Sequence, residues 1–233
     1  MTATRKLCLL HLVANALLLW LGYLWLGVGE STGLRLAWSA LDALIILALV
    51  CWLYGATFVY FRSKERKLNE SFRTALRHVI PLLAAAIVVL ALYGALAWLA
   101  SILPAFRVAS YLTLKLRKPV KPGTVLTVFR TAMWIVRWVL VPVALLPMFG
   151  GIATRGWRGF GAITWRVNWR AWLLTPALLA AGLILPLAIL GWVPHAASFT
   201  LEMTSFVARL ILAYLLFIAS MLMLAYGGRQ KLN

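Results

Sequence analysis

Apolar residues run almost unbroken through six stretches of the chain, 7–28, 36–61, 79–103, 125–148, 171–193 and 199–226, separated by short polar or basic connections. Each is near the 20 residues that an α-helix needs to cross a hydrocarbon core of about 30 Å at about 1.5 Å per residue. The runs are continuous rather than alternating, and a helix satisfies its backbone hydrogen bonds within one segment, so the pattern predicts helices and not a β-barrel. The expected fold is all-α: a polytopic transmembrane helix bundle of about six spans, forming one integral membrane domain over 1–233.

Composition agrees. Of the 233 residues, 64% are hydrophobic and 12% charged, against about 25% charged in a soluble domain, which excludes a soluble globular class. The first run follows Arg5 and Lys6 as a signal peptide would. It is long for the apolar part of one and lacks a small-residue cleavage pattern near 28–30, so it reads as a retained span. Cys8 and Cys51, both inside apolar runs, read as small buried hydrophobes rather than a disulfide or a metal site.

The net charge of +18 is first a topology signal rather than a nucleic-acid footprint, because basic residues of a polytopic protein gather in its cytoplasmic connections. With six spans and the N-terminus inside, that side receives fourteen of the 23 lysines and arginines: Arg5, Lys6, Arg62, Lys64, Arg66, Lys67, Arg73, Arg77, Arg155, Arg158, Arg166, Arg170, Arg229 and Lys231. The opposite connections at 29–33 and 194–198 are nearly bare. The expected location is a cell membrane, a bacterial inner membrane given the short loops, with both termini cytoplasmic.

The segment 107–121 dissents, since it places Arg107, Lys115, Arg117, Lys118 and Lys121 outside. Two readings stand: an exception held in place by its flanking spans, or a span that dips in and returns. Leu112, Leu114 and Leu116 alternate with Thr113, Lys115 and Arg117 at the period of a strand. A helix lying on the lipid surface is the other reading. Pro119 and Pro122 are expected to break any helix, with Thr124 capping the fourth span.

At an offset of 93 residues Arg62 aligns with Arg155, Phe72 with Trp165, Arg73 with Arg166 and Arg77 with Arg170, without a gap. The alignment suggests a parallel helical-hairpin repeat with units at 35–103 and 128–193. In helical connectors Trp165, Trp169 and Trp172 share a face beside Arg166 and Arg170, and Phe72, Leu76 and Val79 share one beside Arg73 and Arg77. Indole rings settle at the membrane interface and arginine reaches toward lipid phosphate. Arg73, Arg77, Trp165, Arg166, Trp169 and Arg170 therefore form the expected contact with anionic headgroups.

Ionisable residues inside spans cost at least about 2.5 kcal/mol each on insertion scales, so they mark structural pairs or pathways. Asp42, Arg130, Arg137, Glu202 and Arg209 fall there. The expected cluster is Asp42, Arg137, Glu202 and Arg209, with Asp42 paired to Arg137 or Arg209 near the bundle axis. His11 and His78, near the cytoplasmic ends of their spans, and His195, in an outer turn, read as interfacial histidines. No haem, other cofactor or metal is expected.

Catalysis has little to draw on. Five carboxylates and three histidines form no His-Glu-x-x-His, no Gly-x-Ser-x-Gly, no phosphate-binding glycine loop and no aspartate cluster, so no catalytic residue is assigned and an enzyme is not expected. Twelve tryptophans offer packing and interfacial surface. The leading expectation is a non-catalytic membrane component that binds partner proteins or lipids: partner membrane subunits or further copies of itself, and anionic lipids. The alternative is a transporter or permease for an anionic solute or lipid, with the charged positions as its pathway.

Overall fold

The computed structural model describes residues 3–29, 31–102, 104–163, 169–193 and 198–227. Among these, six helices are long and apolar enough to cross a membrane, and the all-α bundle predicted from the apolar runs is the observed fold. The first two spans are α1 (Ala3–Leu26) and α2 (Gly33–Arg62). A connector helix, α3 (Leu68–Arg77), leads into the third, α4 (Val79–Ser101). After α5 (Ala105–Leu116), the fourth span covers Pro122–Ala162, with its α-helical run ending at Gly156, whose φ is +61°. It comprises α6 (Pro122–Ile135), a π-helical turn (Val136–Leu140), α7 (Val141–Arg155) and a 3-10 segment (Gly156–Ala162). The fifth joins α8 (Trp169–Leu179), a second π-helical turn (Ala180–Ile184) and α9 (Leu185–Gly191), and the sixth is α10 (Phe199–Gly227).

The core identifies two faces. Leu7, Tyr60, Phe61 and Ala225 form one buried cluster, which gathers the start of α1 with the ends of α2 and α10. Cys51, Val59, Leu82, Ala85, Met148, Ile152 and Ala153 form a second, from the end of α2, the start of α4 and the end of α7. Both lie toward the face where α1 begins and α10 ends, here called basal. Toward the other, apical face the helices bury much less: in α1 nothing beyond Asn15 is buried, and in α4 nothing beyond Ala85.

Each π-helical turn stands directly before a proline. Val141 bonds back five residues to the Val136 carbonyl ahead of Pro142, and Leu185 bonds back to Ala180 ahead of Pro186. Proline lacks an N–H and its ring crowds the carbonyl four residues earlier, so a widened turn makes room and lets the helix continue.

Local structure refines three expectations. The segment with strand-like alternation is the helix α5, whose buried residue is Ala109, and it packs against α6. The helix of this segment ends at Leu116, ahead of Pro119, and Pro122 starts the fourth span, with Lys121 rather than Thr124 at the cap; at a first helical position the missing N–H would have had no partner anyway. In α3 the buried face is Ser71 and Ala75, four residues apart, while Leu76 is 54% exposed. Small side chains are needed there because α3 lies against α2, where a Cβ on Gly55 would stand 3.6 Å from the Ala75 Cβ.

Candidate functional site

Helical rise sets the depth of the charged residues. Asp42 precedes Arg62 by 20 residues, and Arg137 and Arg209 stand 18 residues from Arg155 and Gly227. At about 1.5 Å per residue these separations are about 27 to 30 Å, a full hydrocarbon core. With Arg62, Arg155 and Gly227 at the basal boundary, the three charges lie near the apical one, and Glu202 lies beyond it.

The expected pairing of Asp42 is not formed. Among the described residues the ion pairs are those of Lys67, with Glu65 at 2.6 Å and Glu70 at 3.4 Å. Asp42 is half-buried and Glu202 exposed. The arginines turn instead to main-chain carbonyls. Arg137, within the first π-helical turn, donates from Nη2 to Leu96 of α4, while the Tyr93 hydroxyl donates to the Arg137 carbonyl at 2.7 Å. Its Nε is buried without a hydrogen-bond partner. Arg209 is 8% exposed and donates to Trp192, to Leu190 at 3.4 Å and, within its own helix, to Ser205 at 3.2 Å. It thereby caps the C-terminal end of α9, where unpaired carbonyls and the negative pole of the helix favour a cation. In the first hairpin Trp25 Nε1 donates to the Ser39 carbonyl at 2.9 Å. Each successive pair of antiparallel spans is thus closed toward its apical side by one side-chain donor on a backbone carbonyl.

The most elaborate polar site is one that sequence reasoning missed. Asn15 donates to the His11 carbonyl at 2.9 Å and to His11 Nδ1 at 3.2 Å. Tyr54 donates to Asn15 Oδ1 at 2.9 Å, and His11 Nε2 meets Thr57 Oγ1 at 2.7 Å. Thr57 donates onward to the Leu53 carbonyl at 2.8 Å. His11 and Thr57 are fully buried and Asn15 nearly so. The directions are forced. A carbonyl only accepts, so the Asn15 amide nitrogen faces His11. Nδ1 then accepts, and the imidazole proton lies on Nε2, pointing at Thr57. The network joins α1 to α2 with every group satisfied, the condition under which buried polar groups are tolerated. The legible signal was spacing: His11 and Asn15 lie four apart on one face of α1, and Tyr54 and Thr57 three apart on α2.

Of the residues expected to meet anionic lipid, Arg73, Arg77, Trp169 and Arg170 are exposed at the basal face, with the Arg170 guanidinium 5.8 Å from the Trp169 ring. Trp165 and Arg166 lie outside the described residues, so the fold speaks only in part to the proposed repeat. Where the second connector is described it begins as the 3-10 segment, whereas the first is the α-helix α3.

A cavity of 300 Å³ lies between α4, the fourth span, the fifth span and α10. Its walls include Val89, Leu145, Phe149, Leu179 and Leu183, with Tyr93 and Thr175 as polar exceptions. No protein-family model matches the chain, and no curated protein or solved structure does so either.

Proposed function

We propose that the protein is a non-catalytic membrane component that binds other molecules of its membrane, a partner subunit foremost, through an apical helical hairpin. The observation that carries this reading is the outward side of α5, where Phe106 is 78% and Leu114 80% exposed. From Pro122 to Arg155 the fourth span has 14, 5 and 15 helical residues in succession, together about 50 Å at 1.5 Å per residue and well over the hydrocarbon core, so α6 and the α5 packed on it extend past the apical boundary. Residues 105–135 carry Arg107, Lys115, Arg117, Lys118, Lys121 and Arg130 and no carboxylate. Large apolar side chains set among like charges beyond the core suit a partner with an acidic rim around an apolar surface. At the basal face the exposed arginines and tryptophans support contact with anionic lipid.

Transport of an anionic solute fits less well. The 300 Å³ cavity is lined mainly by apolar side chains, and Arg137 and Arg209, which would attract an anion, are engaged with backbone carbonyls.

The test is native mass spectrometry of the protein extracted in polymer-bounded discs of its own membrane, compared with a Phe106→Ser, Leu114→Ser variant. The expected result is a stoichiometric partner subunit with the parent and its loss with the variant, at unchanged membrane insertion. A parent that runs alone or only as copies of itself, with the same mass distribution in the variant, would overturn the reading.

A further inference from the structure

Both π-helical turns border one space. Trp138 belongs to the first turn and Leu183 to the second, and both line the cavity between α4, the fourth span, the fifth span and α10. Widened turns of this kind recur at functional sites.

The cavity lies at the depth of the lipid chains. Phe149 and Trp138, both in its wall, stand 6 and 17 residues before Arg155, about 9 and 25 Å from the basal boundary and so within a hydrocarbon core of about 30 Å. It is long rather than round: those two residues are about 16 Å apart along the span, whereas a sphere of 300 Å³ would be about 8 Å across. Toward the basal end its wall is buried, with Thr175 at 5% and Leu224 at 6% exposure, while Val89, Tyr93 and Trp138 are half-buried. α4 packs on α7, and so does α8, but among the described residues α4 and the fifth span do not pack closely on each other. The cavity therefore opens sideways between these two spans, with the fourth as its floor.

Polar guests find little here. Tyr93 commits its hydroxyl proton to the Arg137 carbonyl at 2.7 Å, and Val89, Leu145, Leu179 and Leu183 present only hydrocarbon. A partner's transmembrane helix, at least about 10 Å in diameter with its side chains, is too wide to enter.

We propose that this cavity holds one acyl chain of a membrane phospholipid, which enters between α4 and the fifth span. Left empty, the space would forfeit dispersion contacts along its whole wall. The surrounding bilayer supplies chains that restore those contacts without burying a polar group. Loose packing filled by a partner's side chain is the rival account, and it predicts no lipid at Thr175 or Leu224. The site is independent of the apical hairpin and of the exposed basal arginines.

The experiment reconstitutes the full chain in vesicles of phosphatidylcholine carrying a photoactivatable diazirine near the middle of one acyl chain. After irradiation, labelled residues are mapped by peptide mass spectrometry. Thr175 and Leu224 are the reporters, because their burial leaves the cavity as the route by which a chain reaches them. The filled variant is Val89→Phe with Leu179→Phe. Val88→Phe, one residue away and 62% exposed, is the control. Labelling of Thr175 and Leu224 in the parent supports the site if it falls about tenfold in the filled variant, the scale expected when a chain must displace rings that occupy its place, and is kept in the control. Should the doubly filled protein fail to insert, Val89→Phe alone takes its place, with a loss in the same direction expected. Labels confined to outward residues such as Val88 overturn the proposal, as does equal labelling of Thr175 and Leu224 in parent and filled variant. A small molecule other than a phospholipid retained in native mass spectra of the parent, with no label at Thr175 or Leu224, shows a different occupant and overturns it as well.

Discussion

Arg209 donates to the main-chain carbonyl of Trp192, tying α10 to the end of α9 at the last turn before the chain reverses. An arginine near a membrane boundary that bonds to a carbonyl needs no carboxylate, and this explains why Asp42 stands apart from it. The expected cost of Arg209→Met is about 2 kcal/mol, the scale of hydrogen bonds to a charged donor, while Asp42→Asn is expected to stay within about 0.5 kcal/mol. Thermal unfolding in one detergent checks both. Equal destabilisation by the two would show that a carboxylate pair, not the carbonyl cap, holds this end of the bundle.

The network joining α1 to α2 makes a sharper statement about a single proton. Its directions place the imidazole proton of His11 on Nε2, which nitrogen chemical shifts of labelled protein resolve directly. Tyr54→Phe removes the donor to Asn15 Oδ1 without changing shape, and a loss of about 1 kcal/mol is expected for that bond. Combined with Asn15→Ala the two losses should fall short of their sum, because both act on one bond. Additive losses, or an Nδ1–H imidazole, would contradict the arrangement.

The bundle was legible because hydrophobic run length is a signal that each span carries alone. The six predicted runs and the six observed helices differ mainly at their ends. Partnerships were harder to read, since they depend on how helices rotate about their axes. Asp42 and two arginines at similar depth invited an electrostatic pairing, yet carbonyls freed at a helix end or within reach of a neighbouring helix are acceptors that no residue type announces. His11 looked interfacial because it falls near the end of its span, yet the face it shares with Asn15 is buried against α2. The strand-like alternation at 112–117 lost to a helix that packs against α6 and buries Ala109.

The loop between α2 and α3 carries the most exposed pH-sensitive contact. A hydrogen bond from Lys67 holds the Glu65 carboxyl below its ordinary range, and the same contact holds Lys67 above its own. A depressed carboxylate pKa contributes stability that is present above the unfolded value and lost as pH falls through the folded one. Both groups are fully exposed, so the effect is local and weakens with salt. In an NMR titration the Glu65 midpoint is expected below the ordinary glutamate value of about 4.3, returning toward it in Lys67→Ala. A midpoint that ignores Lys67 would show the pair to be unformed in solution.

Two glycines separate packing from mere composition. A Cβ on Gly159 would stand 2.2 Å from the Ile152 nitrogen and 2.3 Å from the Gly151 carbonyl carbon, both main-chain atoms that cannot swing aside, whereas Gly94 has nothing within 4 Å. The 3-10 segment folds back on α7 only because Gly159 has no side chain. Gly159→Ala must push that segment off α7, and the expected cost is at least about 3 kcal/mol, the upper range for overpacking. Gly94→Ala, exposed and in the middle of α4, trades a flexible residue for the best helix former and is expected to be neutral or to stabilise by up to about 1 kcal/mol. Unfolding midpoints of the two variants in the same lipid discs decide it.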